Sequence, residues 1–229
     1  MELNSDFSQR VAVHGADLPW QSSPLPGVHR RMFDRIGDEV ARATSIVRYA
    51  PGSAFSPHVH TGGEEFLVLD GVFQDEHGDF PAGTYVRNPP ESRHTPSSAQ
   101  GCTIFVKLWQ FDLADRTPVT RRTAGMSFDA APGRDSVETL SLFEDSREYV
   151  ALEKWLPSQT VTLDAPRGME ILVLDGAFVE SGGEFHPQSW LRLPADATSE
   201  AIAGEDGATV WIKRGHLAEP QTAPRDIVG

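Results

Sequence analysis

The chain has 229 residues and a formal net charge of −13 at pH 7, with 39% hydrophobic and 23% charged residues. This length allows two domains with a core each. So acidic a chain is repelled by nucleic acid and by anionic membrane surfaces, and we expect it to bind neither. The single cysteine, Cys102, excludes an internal disulfide framework. Residues 1–15 contain no apolar segment typical of a signal peptide, so the expected location is the cytoplasm.

The first half of the chain is a series of short apolar runs separated by turn residues. Residues 1–25, with Trp20 among prolines, are predicted to form an N-terminal arm, and residues 30–42 fit either an edge strand or single turns. Strands are predicted over four further runs: 46–51, 66–73, 85–89 and 103–107. The pair Asp70-Gly71 fits a tight hairpin turn, in which glycine tolerates a positive φ. Without helical periodicity, this spacing predicts an all-β sandwich or small barrel.

The second half of the chain repeats the first at an offset of 105 or 106 residues. The sequence FLVLDGVF at 66–73 returns as ILVLDGAF at 171–178. Three further pairs of runs match at the same offset: 46–51 with 152–157, 85–89 with 190–194, and 103–107 with 209–213. Two copies of one β domain are therefore predicted.

The predicted division places residues 1–115 in the first domain and residues 116–229 in the second. Residues 112–134 form the predicted connector. Segment 136–148 again fits an edge strand or turns, and Asp175-Gly176 again fits a tight hairpin turn.

One stretch of the first copy, GSAFSPHVHTGGEE at 52–65, has a pattern typical of metal ligands. Side chains alternate along a strand, so His58 and His60 point to one side, and Glu64 shares their parity if the strand resumes after the glycine bend. His94 follows later in the same copy. Three imidazoles and one carboxylate inside an apolar barrel would be costly without a cation, and this set suits a divalent metal of borderline softness. The other histidines have no neighbour at ligand spacing and receive no predicted role: His14, His29, His77, His186 and His216.

These residues resemble the two motifs of the cupin family. The first motif, Gly-x5-His-x-His-x3-Glu-x6-Gly, is matched without a spacing error at Gly52, His58, His60, Glu64 and Gly71. The second motif, Gly-x5-Pro-x-Gly-x2-His-x3-Asn, is matched at Gly83, Pro89 and His94 and departs from the pattern at Glu91 and Ser98. Neither departure affects a ligand.

The residues around the motifs are similar to the ChrR-type cupins, roughly over residues 18–110. The matching segments are YAPG at 49–52, GGEE at 62–65, LDG at 69–71, GTY at 83–85 and GCTIFVK at 101–107. The resemblance implies two tandem double-stranded β-helix (jelly-roll) barrels, with one divalent metal per chain bound by His58, His60, Glu64 and His94. Zinc is the metal that it implies first, and iron, manganese or nickel also suit these ligands.

The second copy lacks all four ligands. The offset brings Leu163 or Asp164 to the place of His58, Ala165 or Pro166 to that of His60, Met169 to that of Glu64 and Ser199 to that of His94. The second barrel is therefore predicted to be metal-free, kept for packing or as an interaction surface.

Three functions fit the first barrel. The resemblance implies a zinc cupin that senses a chemical stress and is related to anti-sigma factors. The helical anti-sigma domain with its own His/Cys zinc site has no counterpart here, so sigma-factor binding is not expected. The alternative is a mononuclear non-haem dioxygenase of the acetylacetone-cleaving kind, with an aromatic pocket wall drawn from Tyr49, Phe55, Tyr85 and Trp109. The third is a structural zinc site. A homodimer is expected in each case.

Overall fold

The computed structural model describes residues 1–38 and 40–220, which form an almost purely β protein with antiparallel strands. The strands are β1 Glu2–Leu3, β2 Val11–His14, β3 Gln21–Ser22, β4 Val28–Gly37, β5 Ala41–Tyr49, β6 Ser53–Ala54, β7 His58–Val59, β8 Glu64–Asp75, β9 Gly78–Pro81, β10 Thr84–Asn88, β11 Arg93–His94, β12 Ser97–Ser98, β13 Cys102–Leu108, β14 Val119–Arg122, β15 Asp129–Ala130, β16 Val137–Glu144, β17 Tyr149–Trp155, β18 Thr160–Ala165, β19 Met169–Glu180, β20 Gly183–Phe185, β21 Ser189–Leu193 and β22 Ala197–Arg214. The only helical element of the described residues is a 3₁₀ turn at Gly15–Asp17. None of the described helical segments has the length and apolar character needed to cross a membrane. The all-β prediction is confirmed.

The first compact unit contains residues 1–5 and 18–125 of the described chain. Its main sheet has the strand order β1-β4-β5-β13-β8-β10-β14, and β7 and β11 form a separate two-stranded ladder. Apolar side chains at alternate positions of the central strands face one core. The buried core residues are Phe66, Val68, Phe73, Phe80, Val86, Cys102, Ile104 and Val106. Burial raises the pKa of the Cys102 thiol to about 11, which suits the inert core residue that the sequence indicates.

The second compact unit contains residues 6–17 and 126–220. Its sheet has the order β15-β16-β17-β22-β19-β21-β2, with β18 paired to β22 and β20 to β19. Its central apolar residues are fully buried, among them Ala151, Leu163, Met169, Ile171 and Ile212.

The bounds of these units differ from the predicted division after residue 115. Strand β2, inside the predicted N-terminal arm, pairs with β21 and so lies in the second unit. Strand β14, inside the predicted connector, pairs with β10 and so lies in the first. The segments 30–42 and 136–148, which the sequence left open between strand and turn, fall mostly in β4 and β16.

The hairpin turns predicted at the two Asp-Gly pairs are wrong. Gly71 lies inside β8 and Gly176 inside β19, close to bulges where these strands have one residue more than their partner. Their φ angles are 72° and 68°, and a Cβ atom at either glycine would lie 2.2 Å from a carbonyl oxygen, that of Gly101 or of Gly207. Glycine is required there for close approach of two backbones, and the apolar runs on both sides of it belong to one long strand.

Candidate metal centre

Local strand pairing brings the two ends of the ligand set together in the first unit. Strands β7 and β11 pair antiparallel, with His58 directly opposite His94. The pairing continues beyond β7, because the backbone N–H of His60 donates to the carbonyl of Ser92 at 2.9 Å and the carbonyl of His60 accepts from Glu91 at 2.9 Å. The predicted shared side of His58 and His60 follows from this ladder.

Two glycines return the chain to the site so that Glu64 can start β8. Gly63 has a φ of 78°, a conformation that side chains rarely adopt. A Cβ atom at Gly62 would lie 2.0 Å from the ring of Trp109, and one at Gly63 would lie 2.4 Å from the ring of Phe111. Only residues without a side chain fit between the turn and these rings, so the glycine pair fixes where Glu64 emerges.

The structure brings all four predicted residues together. One ligand atom from each of His58, His60 and His94 lies within 4.8 Å of the other two. The Glu64 Oε2 atom lies 3.4 Å from His60 Nε2 and 3.6 Å from His94 Nε2. The three imidazole rings stand edge to face, with centroids 4.6 to 5.0 Å apart. This arrangement fits a single divalent ion at the centre of the group.

Hydrogen bonds at the back of the site orient the candidate ligands. His94 Nδ1 lies 3.2 Å from Asp75 Oδ2, and His58 Nδ1 lies 3.2 Å from the carbonyl oxygen of Ser56. Because Nδ1 is used in both hydrogen bonds, Nε2 of each ring remains available to bind a metal ion. Asn88 Nδ2 donates to Glu64 Oε2 at 3.1 Å. Carboxylate and carbonyl partners of this kind set the tautomer and orientation of metal-binding histidines.

The electrostatics of the site suit metal binding. Burial, with His58 nearby, lowers the pKa of His60 to about 4. Burial also lowers the pKa of His94 in spite of the Glu64 carboxylate, and it raises the pKa of Glu64. The imidazoles of His60 and His94 are therefore held in the neutral form that binds metal. The raised pKa of Glu64 indicates that the surrounding residues do not fully compensate the negative charge of its buried carboxylate.

Buried polar atoms without partners show that a cation fits. His60 Nε2 and His94 Nε2 are buried and have no hydrogen-bond partner, although both point toward Glu64. Leaving such atoms unsatisfied costs free energy, and a divalent ion bound to both would remove that cost. The donor set of three imidazoles and one carboxylate is one that first-row metals accept.

The centre is closed on one side and open on the other. His60, Glu64 and His94 are 7%, 7% and 3% exposed, whereas His58 is exposed and the neighbouring Val59 is 54% exposed. The exposed side of the centre is therefore the side of His58.

The aromatic residues named from the sequence lie in different places. Tyr49 packs edge-on against Phe55 and Phe73, and Phe73 lies 5.7 Å from the His94 ring, so these residues stand next to the site. Tyr85 is buried on the opposite face of the sheet, where its hydroxyl donates to Glu65 Oε1 at 2.6 Å. Trp109 packs on the Gly62 turn.

The same place in the second unit is filled by apolar core. Leu163 pairs with Ser199 as His58 pairs with His94, which decides between the alternatives that the sequence offset left open. Leu163, Ala165 and Met169 are almost completely buried in the core cluster. Ser199 donates to Glu180, the counterpart of Asp75, at 2.5 Å. The scaffold thus forms without histidine at these positions.

Residues 8–112 match the family described as the ChrR cupin-like domain, which confirms the predicted resemblance. No curated protein matches the sequence well enough to be a relative.

Solved structures with similar folds cover most of the chain. A proposed dioxygenase from Nostoc punctiforme has a TM-score of 0.73 and 13% identity, over 96% of this chain and 87% of that one. A proposed glyoxylate-induced protein from Pseudomonas aeruginosa has a TM-score of 0.70 and 14% identity, over 89% of this chain and 86% of that one. The bacterial pirin YhhW from Escherichia coli, in complex with nickel(II), has a TM-score of 0.61 and 17% identity, over 90% and 98%. At these identities the likeness shows the fold alone, which is that of cupin proteins.

Proposed function

We propose that this chain, whose residues 8–112 match the ChrR cupin-like domain family, binds one divalent metal ion through His58, His60, Glu64 and His94 and uses it to bind a small molecule. The observation that carries the proposal is the pair of buried, unpartnered Nε2 atoms that point toward Glu64 beside an exposed His58. We propose that the metal is zinc and that the protein senses the small molecule bound to it.

The open side of the centre favours small-molecule binding over a purely structural zinc. A structural zinc site has four protein ligands and is closed, whereas a site that works on ligands keeps a position accessible. Here three of the four residues are buried and the fourth is exposed. A small molecule entering past His58 would meet the metal on the side where protein does not cover it.

Cobalt(II) substitution tests this proposal, because the visible absorption of cobalt reports its ligands. The proposal expects the cobalt bands of the full chain to shift when azide or imidazole is titrated, since an added ligand reaches the metal. His186→Ala, a histidine change in the second unit, should leave the titration unchanged. A cobalt spectrum that forms but does not respond to either ligand would mean that the metal site is structural and closed to small molecules.

The second candidate function is a mononuclear non-haem dioxygenase. The exposed His58 side of the centre favours it too, because a chelating substrate and O₂ both need access, and the proposed dioxygenase from Nostoc punctiforme has a similar fold. A bound iron ion would supply the redox chemistry, and His58, His60, Glu64 and His94 would hold the ion in place. Iron-loaded protein that consumes O₂ on addition of acetylacetone would favour this function, and the His60→Ala variant would then have to be inactive.

A further inference from the structure

The second unit contains a cavity of about 580 Å³ whose wall is rich in arginine. Four arginines line it together with Tyr149 and three acidic residues. The arginines are Arg134, Arg147, Arg167 and Arg214, and the acidic residues are Asp145, Glu148 and Asp164. A cavity of this volume is within the range of small-molecule sites, roughly 300–1000 Å³. Four guanidinium groups in one cavity are unexpected in a chain with a net charge of −13.

The cavity lies beside Met169, which stands in the second barrel at the position of Glu64 in the first. Arg214 pairs with Met169 across β22 and β19, just as Leu108 pairs with Glu64 across β13 and β8. Met169 takes the place of Glu64, so the second copy has an arginine next to the lost ligand where the first has an apolar residue.

A buried carboxylate holds two of the arginines in place. Glu153 is 1% exposed and accepts two hydrogen bonds from Arg134, at 2.6 and 3.1 Å, and one from Arg214 at 3.0 Å. In the first copy Val47 stands at this position, opposite Ile104 as Glu153 is opposite Val210. The charged group therefore belongs to the second barrel alone, and it positions the guanidinium groups before any ligand arrives.

The arginines retain unused hydrogen-bonding capacity. The Nε atom of Arg214 is buried without a partner. In the described part of the chain the Arg147 guanidinium makes no hydrogen bond or ion pair. Glu153 offsets one of the two guanidinium groups that it binds, and Asp164 also interacts favourably with Arg214. The other two carboxylates of the wall are engaged elsewhere, because Glu148 pairs with Lys213 at 2.9 Å and Asp145 accepts from the backbone N–H groups of Arg147 and Glu148. A group that accepts hydrogen bonds and carries negative charge would satisfy what remains.

We propose that this cavity binds a small organic anion, whose carboxylate or phosphate group is held by Arg147 and Arg214 while its body lies against Tyr149. The site does not depend on the metal centre, because none of the four metal-binding residues lines the cavity. It gives the second barrel a binding function of its own.

Isothermal titration calorimetry of the full, metal-loaded chain tests the proposal with malonate, citrate and inorganic phosphate as probes. At least one of the three anions should bind saturably. Comparing their affinities shows whether the cavity prefers a carboxylate or a phosphate. Arg147→Gln and Arg214→Gln should each weaken binding by about tenfold or more, as expected for loss of a charge-assisted hydrogen bond. Arg121→Gln, which removes an exposed arginine of the first unit, should not change it.

Two results would overturn the proposal. One is that none of the three anions binds at concentrations up to about 10 mM. The other is that binding disappears in His60→Ala and survives in Arg147→Gln, because the anion would then bind at the metal. If Arg214→Gln fails to fold, Arg147→Gln alone decides, since its side chain takes part in no ion pair of the described structure.

Discussion

At the scale of single residues, the proposed metal centre depends on a side chain outside the set of candidate ligands. Asp75 Oδ2 lies 3.2 Å from His94 Nδ1 and fixes the ring so that Nε2 points into the site. Asp75→Asn should weaken zinc affinity by about 10- to 100-fold, because such partners usually contribute that much. Competition with a chelator measures this affinity. The exposed Asp129→Asn in the second unit is the matched control, and equal affinities for both variants would show that Asp75 does not orient His94.

The low pKa of His60 predicts a pH dependence of stability in the metal-free protein. Its pKa is about 4 in the folded chain, below the value of about 6.5 for an unfolded histidine, so the unfolded state takes up more protons between these values. The contribution of His60 to the free energy of unfolding is therefore fully present above about pH 6.5 and is lost as the pH falls toward 4. Urea unfolding at several pH values should show a steeper loss for the metal-free parent than for metal-free His60→Asn. Parallel curves would contradict the prediction.

The four candidate ligands could be named from the sequence, and the residues that hydrogen-bond to them could not. His58, His60 and Glu64 are close in sequence, so strand parity and the cupin motif both point to them. Asp75 and Asn88 reach the site through pairing between distant strands, as in the contact of Asn88 with Glu64 across β10 and β8. No spacing rule applies to such contacts. The only sequence signal was that Asn88 directly precedes a proline of the second motif.

At the scale of elements, the bulges in the long strands are the feature most sensitive to substitution. Gly71→Ala should lower the free energy of unfolding by about 1–3 kcal/mol, because its φ of 72° is unfavourable for alanine and its Cβ would meet the Gly101 carbonyl oxygen. Urea unfolding measures this cost. Gly183→Ala is the control, since the nearest atom to its Cβ would lie at an ordinary 3.6 Å. Equal stability of the two variants would mean that the β8 backbone adapts without strain.

The predicted strands were confirmed where apolar runs repeat. The pairing of the segments outside these runs, such as β2, was not predicted. The run at 66–73 is the central part of β8, but an Asp-Gly pair can be a hairpin turn or a bulge, and only the partner strand decides which. Strand β2 has only four residues and lies far in sequence from β21. Its membership of the second unit comes from a long-range pairing that alternation alone cannot indicate.

At the scale of the whole molecule, two copies of one barrel have the same strand pairing, but only the first has the four candidate metal ligands. The register that places His58 opposite His94 places Leu163 opposite Ser199. Apolar residues then fill the second site, so metal should stabilise the chain through the first unit alone. Zinc at about 100 times its Kd should raise the free energy of unfolding of that unit by about 2.7 kcal/mol. Thermal unfolding with and without zinc measures the effect, and the same stabilisation in His60→Ala would mean that zinc acts elsewhere.

The metal content of the purified chain shows whether His58, His60, Glu64 and His94 bind a divalent ion. Elemental analysis of the parent protein, of His60→Ala and of His186→Ala compares the centre with a histidine that has no predicted role. We expect about one divalent ion per chain, with zinc as the metal, in the parent and in His186→Ala, and almost none in His60→Ala. Full metal content in His60→Ala, or a metal-free parent that takes up no zinc, would contradict it.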